Sequence, residues 1–266
     1  MSGPLLKVNL RGSRTIWIIM TFVFCWYFSV MVAMYDPEGA QALVDMLKLL
    51  PEALVNAIAF DLSGTTILSF LAGSMYGALM FLFPLVISIT LNHGLIATHV
   101  DRGSVAFLLA TPLSRAKFIR TQAAFSILSI TAFFTIVTGF GIASIQASWP
   151  GELEVGKFIL LNLYALTMYW AIGGIGFVAS AIASESRHSL SLGVGLPIAF
   201  LMLQMVGNAS DKYAWLGKLS LYELFDPFAV VNGSAEVYVR MAILTGIAAL
   251  LYLGGMIYFD RRDLHI

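Results

Sequence analysis

Six stretches of this chain run for at least about 18 residues, the length that crosses a bilayer's hydrocarbon layer as a helix, without one Asp, Glu, Lys, Arg or His. They cover residues 16–35, 67–91, 121–147, 158–184, 189–210 and 241–259. In hydrocarbon no water is available to the backbone, so each peptide N–H and C=O must be satisfied within the protein. Helices meet that demand segment by segment. The pattern predicts an all-α polytopic membrane protein with six transmembrane helices, forming one transmembrane domain over residues 1–266. Composition agrees: 11% of residues are charged and mean hydropathy is +0.87, whereas soluble domains carry about 25% charged residues. The basic opening "MSGPLLKVNLRGSR" invites a signal-peptide reading, but the apolar run behind it is long enough to span. No A-x-A-like cleavage site follows, so we read it as a retained first span. The single Cys25 permits no disulfide within the chain. Gly73, Gly77, Pro84, Gly173, Gly174, Gly176, Gly193, Gly195 and Pro197 fall inside the runs, where small residues let helices approach closely and neighbours satisfy a proline break.

Six spans put both termini on one side, and the loop charges say which. One set of loops holds Lys7, Arg11, Arg14, Arg102, Arg115, Lys117, Arg120, Arg187, Arg261 and Arg262, ten basic residues against the acids Asp101, Glu185, Asp260 and Asp263. The other holds Lys48, Lys157, Lys212, Lys218 and Arg240 against eleven acids. The Lys and Arg excess assigns the first set, with both termini, to the cytoplasm. Two outer segments are more than linkers. Over residues 36–64, Asp36-Pro37-Glu38 has the form of a helix start. Leu43, Met46, Leu47 and Leu50, then Leu54, Val55 and Ile58, recur at helical spacing, as in amphipathic helices lying on the outer surface. Over residues 210–234 an aromatic-rich run is broken by Gly and Pro; it reads equally as a re-entrant element or as an ordered outer loop.

Missing chemistry narrows the function. His93, His99, His188 and His265 all lie at or beyond span ends, and no His-x-x-x-His or Cys-x-x-Cys spacing occurs, so neither a metal nor any other cofactor is expected in this chain. No span holds a base for a Ser nucleophile or the mid-membrane ionisable group that proton-driven carriers and voltage sensors use. No G-x-x-x-x-G-K-[ST] occurs either, which excludes a P-loop of the chain's own. What remains is a bundle poor in polar groups with no energy source. Either it is passive (a channel, scaffold or sensor) or another subunit supplies the work.

The inner loop between the second and third spans is the most informative segment. In "DRGSVAFLLATPLSRAKFIRTQ", residues 101–122, Val105, Leu108 and Leu109 share one helical face with Phe107 beside it, and Asp101 or Ser104 can cap the start. Thr111-Pro112 ends that helix, and Ser114 can cap the next, whose first turns carry Arg115, Lys117 and Arg120. Physics alone allows this short helix to lie on lipid with its cations among the headgroups.

The same stretch resembles the cytoplasmic loop of permease subunits of type-2 ABC exporters. The pattern there is an acidic or polar start, Gly-Thr or Gly-Ser, a leucine-rich turn, then Pro-x-Ser-Arg. Asp101, Gly103, Ser104, Leu108, Leu109, Pro112, Ser114 and Arg115 match it in order. "FDRRDL" at residues 259–264 is similar to the family's ending, and "LLPEALVNAIAFDLS" at 49–63 to the outer helix of six-span bacterial members. One departure is that Arg120 and Thr121 stand where a Lys often begins the third span. The resemblance implies that Asp101, Arg102, Gly103, Ser104, Val105, Phe107, Leu108, Leu109, Pro112, Ser114 and Arg115 form a coupling helix seated on a separate P-loop ATPase subunit, which would bind ATP and magnesium. It further implies a second permease chain (homo- or heterodimer), no catalysis in this chain and a place in the bacterial cytoplasmic membrane. Membrane lipids are then partners, and nucleic acid is not. The cargo would be amphiphilic or hydrophobic: a drug, antimicrobial peptide or lipid-like molecule. Its path would lie between two chains, with Phe22, Trp26, Phe28, Phe133 and Phe134 as candidates to line it. A non-transporting scaffold or sensor is the alternative, while an intramembrane lipid transferase would need a catalytic cluster the spans lack.

The charge sorting makes a direct prediction. In a Cys25→Ser background, single cysteines at 115 or 187 should be shielded from an impermeant maleimide in intact cells, and cysteines at 52 or 226 should react. Reaction at 115 from outside would end the six-span scheme.

Overall fold

The computed structural model describes residues 2–37, 66–76, 82–97, 114–183, 185–209 and 213–262. Five expected spans are single helices long and apolar enough to cross a membrane: α1 (Gly3–Met34), α4 (Arg115–Ser148), α5 (Val155–Ile182), α6 (Ser186–Ala209) and α9 (Glu236–Arg261). Among the described residues there is no β-strand. In the run expected as the second span, the described residues form α2 (Ile67–Leu71, widening to a π turn over Ala72–Tyr76) and α3 (Leu82–Asn92, widening to a second π turn over His93–Ala97). A π turn inserts a residue into the helical repeat, which the charge-free composition of the run does not signal. The expected surface helices of 38–64 lie outside the described residues.

Helix boundaries follow local chemistry. Ser114 Oγ accepts from Lys117 N at 3.3 Å and starts α4, as Thr66 does for α2 through Ser69 N. Helix α1 begins thirteen residues before its apolar run, with Pro4 in the first turn, and continues into it without a break. Pro197 sits inside α6, where it removes one backbone donor without ending the helix.

Helix α5 is the axis of the bundle. In its most apolar 18-residue window 72% of residues are buried, against 22% for α1 and 17% for α6. It packs most extensively on α9, and also on α6, α4 and α3. The approach to α9 depends on missing side chains. A Cβ on Gly174 would stand 2.9 Å from Leu251 Cβ, and one on Gly255 would stand 2.9 Å from the Phe177 ring. Around this axis Phe24, Phe133, Phe134 and Tyr169 form a continuous chain of ring contacts.

The segment after α6 folds back onto the bundle as three short elements: α7 (Ala214–Gly217), a 3₁₀ turn (Leu221–Leu224) and α8 (Pro227–Val231). Its first docking point is backbone on backbone, since a Cβ on Gly207 of α6 would meet Gly217 N at 2.6 Å. Ser220 Oγ donates to Phe200 O at 2.8 Å, and Tyr164 of α5 donates its hydroxyl to Leu224 O while accepting from Asp226 N. Asp226 then caps α8 by accepting from Phe228 N at 3.0 Å. Burial raises the Tyr222 phenol well above its ordinary pKa, so this side chain stays neutral. The described part of this region is an ordered fold-back held on α5 and α6.

The glycine contacts carry a quantitative expectation. Gly174→Ala should cost about 1–3 kcal/mol, the usual penalty of overpacking, because the nearest atom it meets is the Leu251 Cβ, which cannot swing aside as a side-chain tip can. Thermal unfolding in detergent should show the loss. Gly246→Ala, at an open site on α9 with nothing within 4 Å, should leave the midpoint unchanged or slightly raised.

Candidate functional site

The described hydrogen bonds gather one set of helix ends and, with it, most of the basic residues. Ser2 N donates to Thr121 Oγ1 at 3.0 Å, which places the start of α1 beside the first turns of α4. Arg115 Nη1 donates to Arg262 O at 3.1 Å, bringing the end of α9 to the same place. Arg262 Nη1 in turn donates at 2.9 Å to both Ala181 O and Ala183 O, where α5 ends. At the opposite end Trp149 Nε1 donates to Val32 O at 3.2 Å, and Lys157 Nζ pairs with Glu154 at 3.0 Å and donates to Val231 O. The described helix ends that flank the two sets of loops therefore lie at opposite ends of one bundle.

Three amides, beyond the reach of a search for ionisable groups, organise the basic end. Asn9 of α1 donates to Gln122 Oε1 of α4, and Gln122 Nε2 donates to Leu95 O of α3 at 2.9 Å. Leu95 lies in the second π turn, and Gln122 gives its carbonyl a partner from α4. Asn92 ties α3 to the axis, donating to Ser88 O at 2.9 Å and Gly173 O at 3.2 Å. Asn9, Asn92 and Gln122 are all buried. The bundle is therefore not as poor in internal polar groups as its charge-free spans imply. A buried amide surrounded by apolar neighbours signals a cross-helix bond in a membrane, and Gln122 and Asn162 carry that signal inside predicted spans. Asn162 does bond across helices, accepting from Tyr76 Oη at 2.9 Å.

The clasp fixes both ends of the loop singled out from the sequence. Helix α3 delivers the chain at Ala97 and α4 takes it up at Ser114, with Gln122 bonded across the gap. Of the coupling residues, Asp101, Arg102, Gly103, Ser104, Val105, Phe107, Leu108, Leu109 and Pro112 lie outside the described residues. Ser114 and Arg115 are described: the first caps α4, and the second reaches the α9 terminus.

The candidate path residues separate into two groups. Phe22 and Trp26 sit one turn apart on the outward face of α1, 70% and 62% exposed. Phe28, Phe133 and Phe134 are buried. Phe28 packs edge-on against Phe158 at 6.1 Å between centroids, and Phe133 and Phe134 contact each other at 5.5 Å. These three belong to the internal packing of this chain. The aromatic content of spans one and three does not separate inward from outward faces; burial does.

Comparison with known families then decides the class. A model described as ABC-2 family transporter protein matches residues 8–264, nearly the whole chain. The chain belongs to this family. A search of curated proteins finds no match. Membership makes this ABC-2 chain a multi-pass membrane component, the permease subunit of an ABC transporter, in a family that associates with ABC ATPase partners. The family expectation drawn from residues 101–122 and 259–264 agrees with a match that extends far beyond those motifs.

The amide clasp predicts an asymmetry. Gln122→Leu leaves Asn9 and Leu95 O buried without their partner and should cost about 1–3 kcal/mol, the price of stranding a buried polar group. The double variant Asn9→Leu/Gln122→Leu removes one of the stranded groups and should be more stable than Gln122→Leu alone. Thermal midpoints of the purified variants in detergent test the order.

Proposed function

We propose that this ABC-2 chain is the permease subunit of an ATP-driven exporter in a bacterial cytoplasmic membrane, with both termini and the 98–113 loop facing the cytoplasm. Two permease chains, identical or different, enclose the path, and two ATPase subunits that bind ATP and magnesium drive it. The cargo is amphiphilic or hydrophobic, in keeping with spans that carry no charge. Phe22 and Trp26, exposed on α1, remain candidates for a face met by a second chain, by cargo or by lipid.

The observation that supports this reading is the anchoring of the residues on either side of 98–113: Leu95 O accepts from Gln122, and Ser114 caps α4. A segment that must deliver force needs such fixed ends. Its apolar residues, Val105, Phe107, Leu108 and Leu109, suit a groove in a partner, with Asp101, Arg102 and Arg115 at the rim. Pro112 closes the segment before α4 begins.

An aspartate at 107 or 108 would bury an unpaired charge in that contact, at about 3–5 kcal/mol. Phe107→Asp and Leu108→Asp should therefore insert normally yet lose the ATPase subunit in pull-down from membranes expressing both proteins. Arg115→Ala should retain it, since a rim charge tunes association rate more than affinity. Full retention of the ATPase subunit by both Asp variants would sink the coupling assignment and favour a helix resting on lipid.

A further inference from the structure

Three helix termini meet through two arginines at the basic end. Arg262 donates from one guanidinium nitrogen to Ala181 O and Ala183 O, both at 2.9 Å. These carbonyls close α5, where no further turn supplies donors and where the helix dipole is negative. The arginine therefore completes the end of the axial helix as a cap brought from 79 and 81 positions away. Arg115, the first helical residue after the loop, donates to the carbonyl of Arg262 itself at 3.1 Å. One turn further in, the buried rings of Phe118 and Phe259 stack at 5.8 Å and hold α4 to α9 beside the two arginines.

From this we propose that Arg115 and Arg262 form a latch that carries displacement of the 98–113 loop to the end of α5, with Arg262 as the positioning residue. The inference rests on the reading of that loop as the ATPase contact. Its logic is mechanical. Helix α4 starts at Arg115, so a push on the loop moves Arg115 first. Apart from the latch, the helices flanking the loop reach α5 through packing and through the Asn92–Gly173 bond, which joins α3 to α5 nine residues before α5 ends. With it, the push passes through directed hydrogen bonds to the terminal carbonyls of the most buried helix. Arginine suits both joints because its donors are fixed in a plane and it remains charged at every physiological pH. Lysine at 262 could still place a cation at the α5 terminus, but as a point donor without that fixed geometry.

A reporter at the end of α5 reads the latch without knowledge of the cargo. Glu185→Cys in a Cys25→Ser background places a thiol on an exposed residue just past α5. Its maleimide labelling rate is measured in the complex with the co-expressed ATPase subunit, with and without ATP plus vanadate. We expect the trapped state to change the rate. Arg262→Ala should abolish that difference while still capturing the ATPase subunit, Arg115→Ala should abolish it in the complex that it forms, and Arg262→Lys should restore part of it. A purely structural cap would shift the basal rate or the melting point but leave the nucleotide-dependent difference intact, and that result overturns the latch. So does a nucleotide-independent rate in the unsubstituted complex. If Arg262→Ala fails to accumulate, Arg115→Ala and Arg262→Lys decide on the same criterion. Failure of the unsubstituted chain to capture any ATPase subunit would instead overturn the reading of the loop.

Discussion

The close approach of α5 and α9 at Gly174 and Gly255 sets the geometry on which the other helices build. In a bilayer, apolar helices gain little from leaving lipid for one another, so association comes from tight van der Waals packing and from polar bonds between helices. Glycines supply the first by admitting Leu251 and Phe177 to the backbone of the neighbouring helix. Once α9 is fixed against α5, its C-terminal residues arrive where α5 ends, and Arg262 can serve a helix to which it does not belong. A looser α5–α9 contact would withdraw that arginine and reopen the terminus. Packing in the middle of the bundle and polar order at its basic end are thus one constraint seen at two places.

Much of this was legible beforehand because the membrane restricts what a chain can do. Charge-free runs locate five of the long helices, and the Lys and Arg sorting anticipates which loops share an end. Ser114 could be named as a cap from its place after Pro112. What escaped depends on pairings distant in sequence. Nothing near Asn9 says that its partner is Gln122, 113 positions away, and nothing near Arg262 points to Ala181. The π turns of α2 and α3 also escaped, because hydropathy reports the apolar content of 67–91 but not its helical repeat. Phe28, Phe133 and Phe134 show the same limit: an aromatic residue in a span suits lipid, a partner or the core alike.

Polar groups inside the bundle divide the labour by position. Toward the basic end amides and arginines bind helix termini and hold the two ends of a loop. Toward the acidic end Tyr164 and Ser220 hold the fold-back against α5 and α6. Between them the Ser126–Tyr252 pair, at 2.8 Å, ties α4 to α9. Each uses neutral or capping groups, so the interior gains directed bonds without burying an unpaired charge.

Helix α1 runs unbroken from Gly3 to Met34, about 48 Å at 1.5 Å per residue. No described kink separates its apolar part from the segment carrying Asn9, so the two behave as a single rod. A tilt of about 5° pivoting near Met34 would sweep the Ser2 end through about 4 Å, more than the length of the hydrogen bonds made there. A small change in inclination would therefore be magnified at this end of α1, where Asn9 meets Gln122.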